Sequence, residues 1–275
     1  MRSIAFTNRK GGVGKSSCVL HLGVRFAQMG LRTLLVDVDP QASLSRGLLG
    51  REALEVDPGE TLAGLYDCVG MPLADLIRPG VRENLSLVVG HDRMDHFNLP
   101  DPWSTGSTQF ALRDAPAEVA ADFDVCLMDN PPTVNLCGWS GLVAAQGVVV
   151  PAQLEDFSIR GVSAVLATVD QVREVANPDL RLLGILPTMV NKRFAIHASY
   201  AANAAEAYGP DLFADAIPAA TDYKVAVTLR RGITEYKPRG DASKAIARVG
   251  DEVLARFDAR CSRPVKGKRT GRGVA

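Results

Sequence analysis

Short runs of apolar, often β-branched residues recur along the chain at 3–7, 33–38, 85–89, 125–128, 148–150 and 182–186, with a weaker one at 212–217. Between these runs the apolar positions fall at a spacing of three to four, which marks helices. The alternation predicts an α/β fold: a mostly parallel twisted sheet with helices on both faces. Several strands are apolar at nearly every position, as strands are when both of their faces are covered. Ile4, Leu34 and Val125 mark the expected central strands. Helical spacing is clearest over 16–29, closed by Gly30, and over 158–175, closed by Asn177 and Pro178. A third stripe carries Ala242, Ala245, Ile246, Val249, Val253 and Phe257. Residues 91–106 mix His, Asp, Pro, Trp and Gly with neither period and are expected to form a long surface loop.

The chain has 275 residues, 47% of them apolar and 23% charged, enough for one large domain, expected over 1–260. The segment 261–275 carries Arg263, Lys266, Lys268, Arg269 and Arg272, no acid and almost nothing apolar, so it is expected to be a disordered basic tail. Formal net charge is zero, so attraction to a polyanion has to come from local patches. No stretch approaches the roughly 18 apolar residues of a membrane span, and a cytoplasmic protein is expected. Cys18, Cys68, Cys126, Cys137 and Cys261 are odd in number and include no CxxC pair, which argues against a disulfide framework or a zinc site.

The strongest chemical signal is Lys10-Gly11-Gly12-Val13-Gly14-Lys15-Ser16-Ser17, placed between an apolar strand and an amphipathic helix. Glycines let successive N–H groups turn inward onto phosphate oxygens, and the following helix adds the positive end of its dipole. Lys15 is placed to reach the β- and γ-phosphates, Ser16 to bind Mg²⁺ and Ser17 to donate to the α-phosphate. A second element, Val36-Asp37-Val38-Asp39-Pro40-Gln41, brings two carboxylates to the carboxyl edge of the sheet, where the loop also lies. A third, Val125-Cys126-Leu127-Met128-Asp129 followed by Asn130-Pro131-Pro132, is an apolar strand ending in one acid, so Asp129 is a candidate Mg²⁺ partner.

Arg9 stands where the general phosphate loop has glycine, and the form KGGVGKSS resembles instead the deviant Walker A loop of the ParA/MinD family. The DxDPQ and DxPP stretches carry the same resemblance, which continues weakly to about Val253. It implies an ATPase that takes ATP and Mg²⁺. Lys10 falls on the signature lysine that contacts ATP in the partner subunit of a homodimer. Asp39 falls on the residue that positions the attacking water, and, with Ser16 and Asp129, belongs to the metal side of the site. Catalysis is expected from Lys10, Lys15 and Asp39, and nucleotide contacts from residues 10–17 together with Asn191 and Pro218. Phe194 replaces the aspartate of a guanine-reading NKxD signature, which favours ATP over GTP.

The absence of a helix-turn-helix ahead of Ile4 makes the chain most similar to short, Soj-like ParA proteins. That branch implies a nucleoid-associated dimer on nonspecific DNA, with hydrolysis stimulated by a ParB-like or other cargo adaptor protein. The cargo class is a plasmid, a chromosome or a protein assembly. DNA contacts are expected among Lys192, Arg193, Lys224, Arg230, Arg231, Lys237, Arg239 and the tail, although Ala219 and Asp222 stand where many ParA proteins carry arginine. A MinD-like membrane-cycling ATPase is the alternative, but this tail has no apolar helical face, so a membrane is not an expected partner. A nitrogenase iron-protein relative would need two cluster cysteines, and Cys137 has no suitable second.

Overall fold

In the computed structural model, residues 1–68, 70–157, 162–191 and 195–261 are described. The first half of the chain forms β1 (Arg2–Phe6), α1 (Lys15–Gln28), β2 (Thr33–Asp37), α2 (Ser43–Leu49), α3 (Leu62–Asp67), β3 (Ile77–Arg82), β4 (Leu85–Val88), α4 (Ala115–Glu118) and β5 (Val125–Asp129). The second half forms α5 (Leu136–Ala144), β6 (Gly147–Gln153), α6 (Ser163–Val175), β7 (Arg181–Thr188), α7 (Ala195–Tyr208), α8 (Thr221–Thr228), α9 (Ile233–Tyr236) and α10 (Asp241–Cys261).

The seven strands lie in the order β3-β4-β2-β5-β1-β6-β7, parallel except for the β3–β4 pair. The strands holding Leu34, Val125 and Ile4 are the middle three, as their apolar runs require. Because side chains alternate along a strand, the sheet feeds two cores. Ala5, Val36, Cys126 and Met128 face α3, α5 and α6. Ile4, Phe6, Leu35 and Leu127 face α1, α8 and α10, where Phe26, Tyr223, Ile246 and Phe257 complete the packing.

The structure departs from the sequence reading in several places. The run at 212–217 makes no strand: Leu212 forms an isolated bridge with Ile185, and Pro218, just beyond the run, forms another with Val190, because a proline cannot donate to a continuous ladder. The strand β3 carries Pro79 and Gly80 and is half exposed, so it lacks an apolar run and lies antiparallel at the sheet edge. The 91–106 segment is not all surface. Met94 and Pro102 are buried, the Trp103 ring meets Trp139 edge-on at 6.1 Å, and Asn98 Oδ1 accepts the Cys137 N–H at 3.2 Å. Cys261, assigned to the tail from sequence, is the last residue of α10, and 262–275 lie outside the described residues. Among the described residues no helix is long and apolar enough to cross a membrane.

Candidate nucleotide-binding site

Parallel pairing puts the ends of β1, β2 and β5 at one edge. Phe6 and Asp37 are both in register with Asp129, so the loop after β1 and the acids ending β2 and β5 emerge side by side. The loop crosses Gly12 and Gly14 at φ +77° and +91°, a backbone that disfavours any Cβ. A Cβ built at Gly11 or Gly12 meets nothing within 4 Å, which leaves the inner side of the loop open for a ligand. The loop is tied down from behind: Thr188 Oγ1 donates to the Val13 carbonyl at 2.9 Å and Gln153 Nε2 to the Gly12 carbonyl at 3.4 Å.

Lys15, the first residue of α1, is buried, and its Nζ donates to the carbonyls of Asn8 and Lys10, each at 3.2 Å. Burial lowers its pKa, while the charges of Asp129 and Asp39 oppose that shift. Asn8 organises the same turn: its Oδ1 accepts the Lys10 N–H at 3.0 Å and its Nδ2 donates to the Pro151 carbonyl at 2.7 Å. Lys10 itself is exposed, whereas Lys15 is buried.

The three acids have different surroundings. Asp37 is spent on structure. Its Oδ2 accepts the Ser45 N–H at 2.8 Å and the Ser45 hydroxyl at 2.7 Å, and Ser45 Oγ accepts the Gly90 N–H at 3.0 Å. That chain of bonds pins the start of α2 against the end of β4. Asp39 lies further out, with Oδ1 accepting the Gln41 N–H at 2.9 Å, and burial raises its pKa. Asp129 is fully buried, and neither carboxylate oxygen meets a donor at bonding geometry among the described residues, although the Ser16 hydroxyl lies beside it. Burial first, then the charge of Asp37, pushes the Asp129 pKa well up. A buried carboxylate with both oxygens unspent is costly on its own. Beside a hydroxyl and a second acid, it is the donor set a hard divalent cation takes, so these residues fit Mg²⁺.

A cavity of about 610 Å³ opens from the loop along α1, with Gly14 and Ser17 at one end and Met189 and Pro218 in its wall. Pro218 is thus brought to the loop. Asn191 is not in that wall, but it follows Val190, which bridges to Pro218, and its N–H donates to His197 Nδ1 at 3.2 Å.

A family model described as an AAA domain matches residues 1–182. The chromosome-partitioning ATPase Soj of Thermus thermophilus is 34% identical over 265 residues, spanning 93% of this chain and 96% of the relative. The chain belongs to the ParA/Soj family of P-loop ATPases. Among solved structures, a Mycobacterium smegmatis protein called cobyrinic acid a,c-diamide synthase, bound to an ATP analogue and magnesium, superposes with TM-score 0.76 at 29% identity, over 96% of this chain and 97% of that one. A variant of Cyanothece McdA in complex with ATP shares the fold, with TM-score 0.77 at 23% identity over 93% and 96% of the two chains.

The basic residues expected to meet DNA lie apart from the loop. Lys192 and Arg193 lie outside the described residues, as do Phe194 and residues 158–161. Lys224, Arg230, Arg231, Lys237 and Arg239 are exposed on α8, on the turn after it and beyond α9. Two of them already face acids: Lys237 Nζ lies 3.0 Å from Asp222, and Arg230 lies 3.9 Å from Glu52 with its guanidinium packed over Gly50. Cys137 is buried on α5, its pKa pushed up to about 12 by burial, a poor setting for a thiolate that ligates a cluster. All five cysteines are free.

Sequence reasoning missed Asn8, Ser45, Gly90 and Thr188. Asn8 lies two residues ahead of the loop motif and was within reach of inspection. The others gain their roles only from packing between distant elements.

Proposed function

We propose that this chain is a switch ATPase, a single domain over 1–260, that dimerises around Mg·ATP, binds nonspecific DNA as a dimer, and positions a cargo. The cargo class is a plasmid, a chromosome or a protein assembly, and the working location is the cytoplasm, on the nucleoid. The observation that carries this reading is the Asp129 carboxylate, buried and unspent beside Ser16, at the sheet edge where the glycine loop and Lys15 also meet. The chromosome-partitioning role of the Thermus relative supports the cargo half.

The residues divide the work. The N–H groups of residues 11–15 cradle phosphate, and Lys15 turns its ammonium from the Asn8 and Lys10 carbonyls to the β- and γ-phosphates. Ser16, Asp129 and Asp39 make up the metal side, and Mg²⁺, when bound, offsets the charge of the phosphates during transfer. Asp39 orients the attacking water, a task that asks for position more than basicity. Lys10, on the outer side of the loop, reaches the nucleotide of a second copy, where another cation offsets the charge of two opposed triphosphates. Hydrolysis returns the dimer to monomers, and a ParB-like or other adaptor protein sets its rate.

The test is binding to nonspecific duplex DNA with ATP, with ADP and without nucleotide, across a salt series. ATP-dependent binding that falls steeply with salt is expected. ATP-dependent binding to anionic vesicles, with none to DNA, would replace this reading by the MinD-like one.

A further inference from the structure

The wall of the cavity beside the phosphate loop includes a residue with a buried donor that no described residue uses. His21 lies one helical turn beyond Ser17 on α1, lines the cavity and is fully buried. Its Nδ1 accepts the Ile233 N–H at 3.1 Å, which assigns the ring proton to Nε2. That Nε2–H has no hydrogen-bond partner among the described residues. Burial drives the His21 pKa down to about 4, so the ring stays neutral, with this tautomer, throughout the physiological range. The Tyr223 ring, at 5.1 Å and tilted by 41°, holds one side of the imidazole, and its own hydroxyl is spent on the Ala242 carbonyl at 3.1 Å.

The rest of the wall explains why one donor matters. Ile217, Pro218, Ala220, Val227 and Ile246 give the cavity an apolar surface suited to a flat heterocycle. A stranded buried N–H is a standing cost, removed when a ligand brings an acceptor to it. The loop fixes where the phosphates of a nucleotide go, and Ser17, at the α-phosphate position, lies in the same cavity as His21. The nucleoside is the part of the ligand that continues into this space, and adenine carries acceptor nitrogens on its ring edges.

We propose that His21 is a base-reading residue: its Nε2–H donates to a ring nitrogen of the adenine of bound ATP in the apolar cavity. This rests on the ATP-site reading above and adds to it a contact that the loop motifs do not supply.

The decisive measurement is the affinity of the full chain for Mg·ATP and for its 1-deaza, 3-deaza and 7-deaza analogues, in which one ring nitrogen at a time becomes C–H. The three are then repeated on His21→Asn, whose Oδ1 can still accept from Ile233 N–H while the Nε2 donor is gone. The expected result is that one analogue binds wild type roughly three- to ten-fold more weakly than ATP, with the others near parity. In His21→Asn, ATP weakens by a similar factor and the deaza penalty disappears. Equal affinity of all three analogues for wild type overturns the proposal while leaving ATP binding intact, and needs no variant to fold. A deaza penalty that persists unchanged in His21→Asn also overturns it, by assigning the contact to another group. No affinity for ATP in any form of the protein would sink the ATP-site reading itself, a different outcome from either.

Discussion

Two regions of this molecule carry charge in opposite ways. At the carboxyl edge of the central strands, Lys15, Asp37, Asp39 and Asp129 are 7%, 0%, 8% and 0% exposed. Around α8 and α9, the cations Lys224, Arg230, Arg231, Lys237 and Arg239 stand in solvent. A buried charge has to be matched by a partner, a pKa shift or a ligand, so each group at the strand edge is accounted for by a bond or by a use. A surface cation carries no such obligation, and a neighbouring acid is often its whole environment. The first region therefore announces its function, and the second only permits one.

The largest effect is expected from Lys15→Ala. It removes the cation proposed to serve the phosphates and leaves the carbonyls of Asn8 and Lys10 without their donor. Mg·ATP affinity should fall on the order of 100-fold or more, because charge-assisted contacts to phosphate are the strong ones. Titration calorimetry checks this, and near-normal affinity would dissolve the contrast at its buried end. Asp39→Ala should act on turnover alone, lowering ATP hydrolysis on the order of 100-fold while ATP-dependent dimerisation, read by light scattering, persists. Unchanged hydrolysis would move the water-positioning role elsewhere.

The same contrast accounts for what was legible in the sequence. The strand-edge cluster was readable because it is local: a glycine loop, an acid ending one apolar run and an acid-rich end to another, each fixed to its edge by parallel pairing. The sequence placed Asp37 and Asp39 together, but only the structure separates them, since the Ser45 and Gly90 that occupy Asp37 come from distant elements. The strand β3 was hidden because an exposed edge needs no apolar pattern. The 91–106 segment read as surface because burial of Met94 and the Trp103–Trp139 contact leave no periodic trace. His21 was invisible for a related reason: on the buried side of α1 its type looks like core, and only the Ile233 bond reveals the unspent nitrogen.

His21 also gives the buried region a pH signature that the surface lacks. In the unfolded chain its ring takes up a proton near the usual value of about 6.5, whereas folded His21 resists protonation down to about 4. The unfolded state thus binds more protons between those values, and stability falls as pH drops from about 7, by about 2 kcal/mol at pH 5. The neighbouring Tyr223, raised by burial above the ordinary phenol range, and Cys18, pushed up to about 12, do not titrate in that window. Denaturant unfolding of wild type and His21→Asn at pH 7 and pH 5 isolates the contribution, since groups common to both cancel. The stability difference between the two proteins should shrink by about 2 kcal/mol on acidification, and a constant difference would mean that the ring is not held neutral.

The smallest effect is expected at the surface, where it says most about the weaker half of the comparison. Lys237 is exposed and raised in pKa by its hydrogen bond to Asp222, so the acid competes with any phosphate for that ammonium. Asp222→Asn removes the competing charge without disturbing the fold of α8, because Asp222 is only half-buried and its side chain serves Lys237 alone among the hydrogen bonds described. Nonspecific DNA affinity of the ATP form should rise about two- to three-fold at low salt, the scale of a surface ion pair. If Lys237 then meets a phosphate, the plot of log affinity against log salt steepens by about 0.9. Tighter binding with an unchanged slope would indicate only relief of repulsion near the DNA. No change in either would move the DNA surface away from α8, and with it the role of Lys224, Arg230 and Arg231.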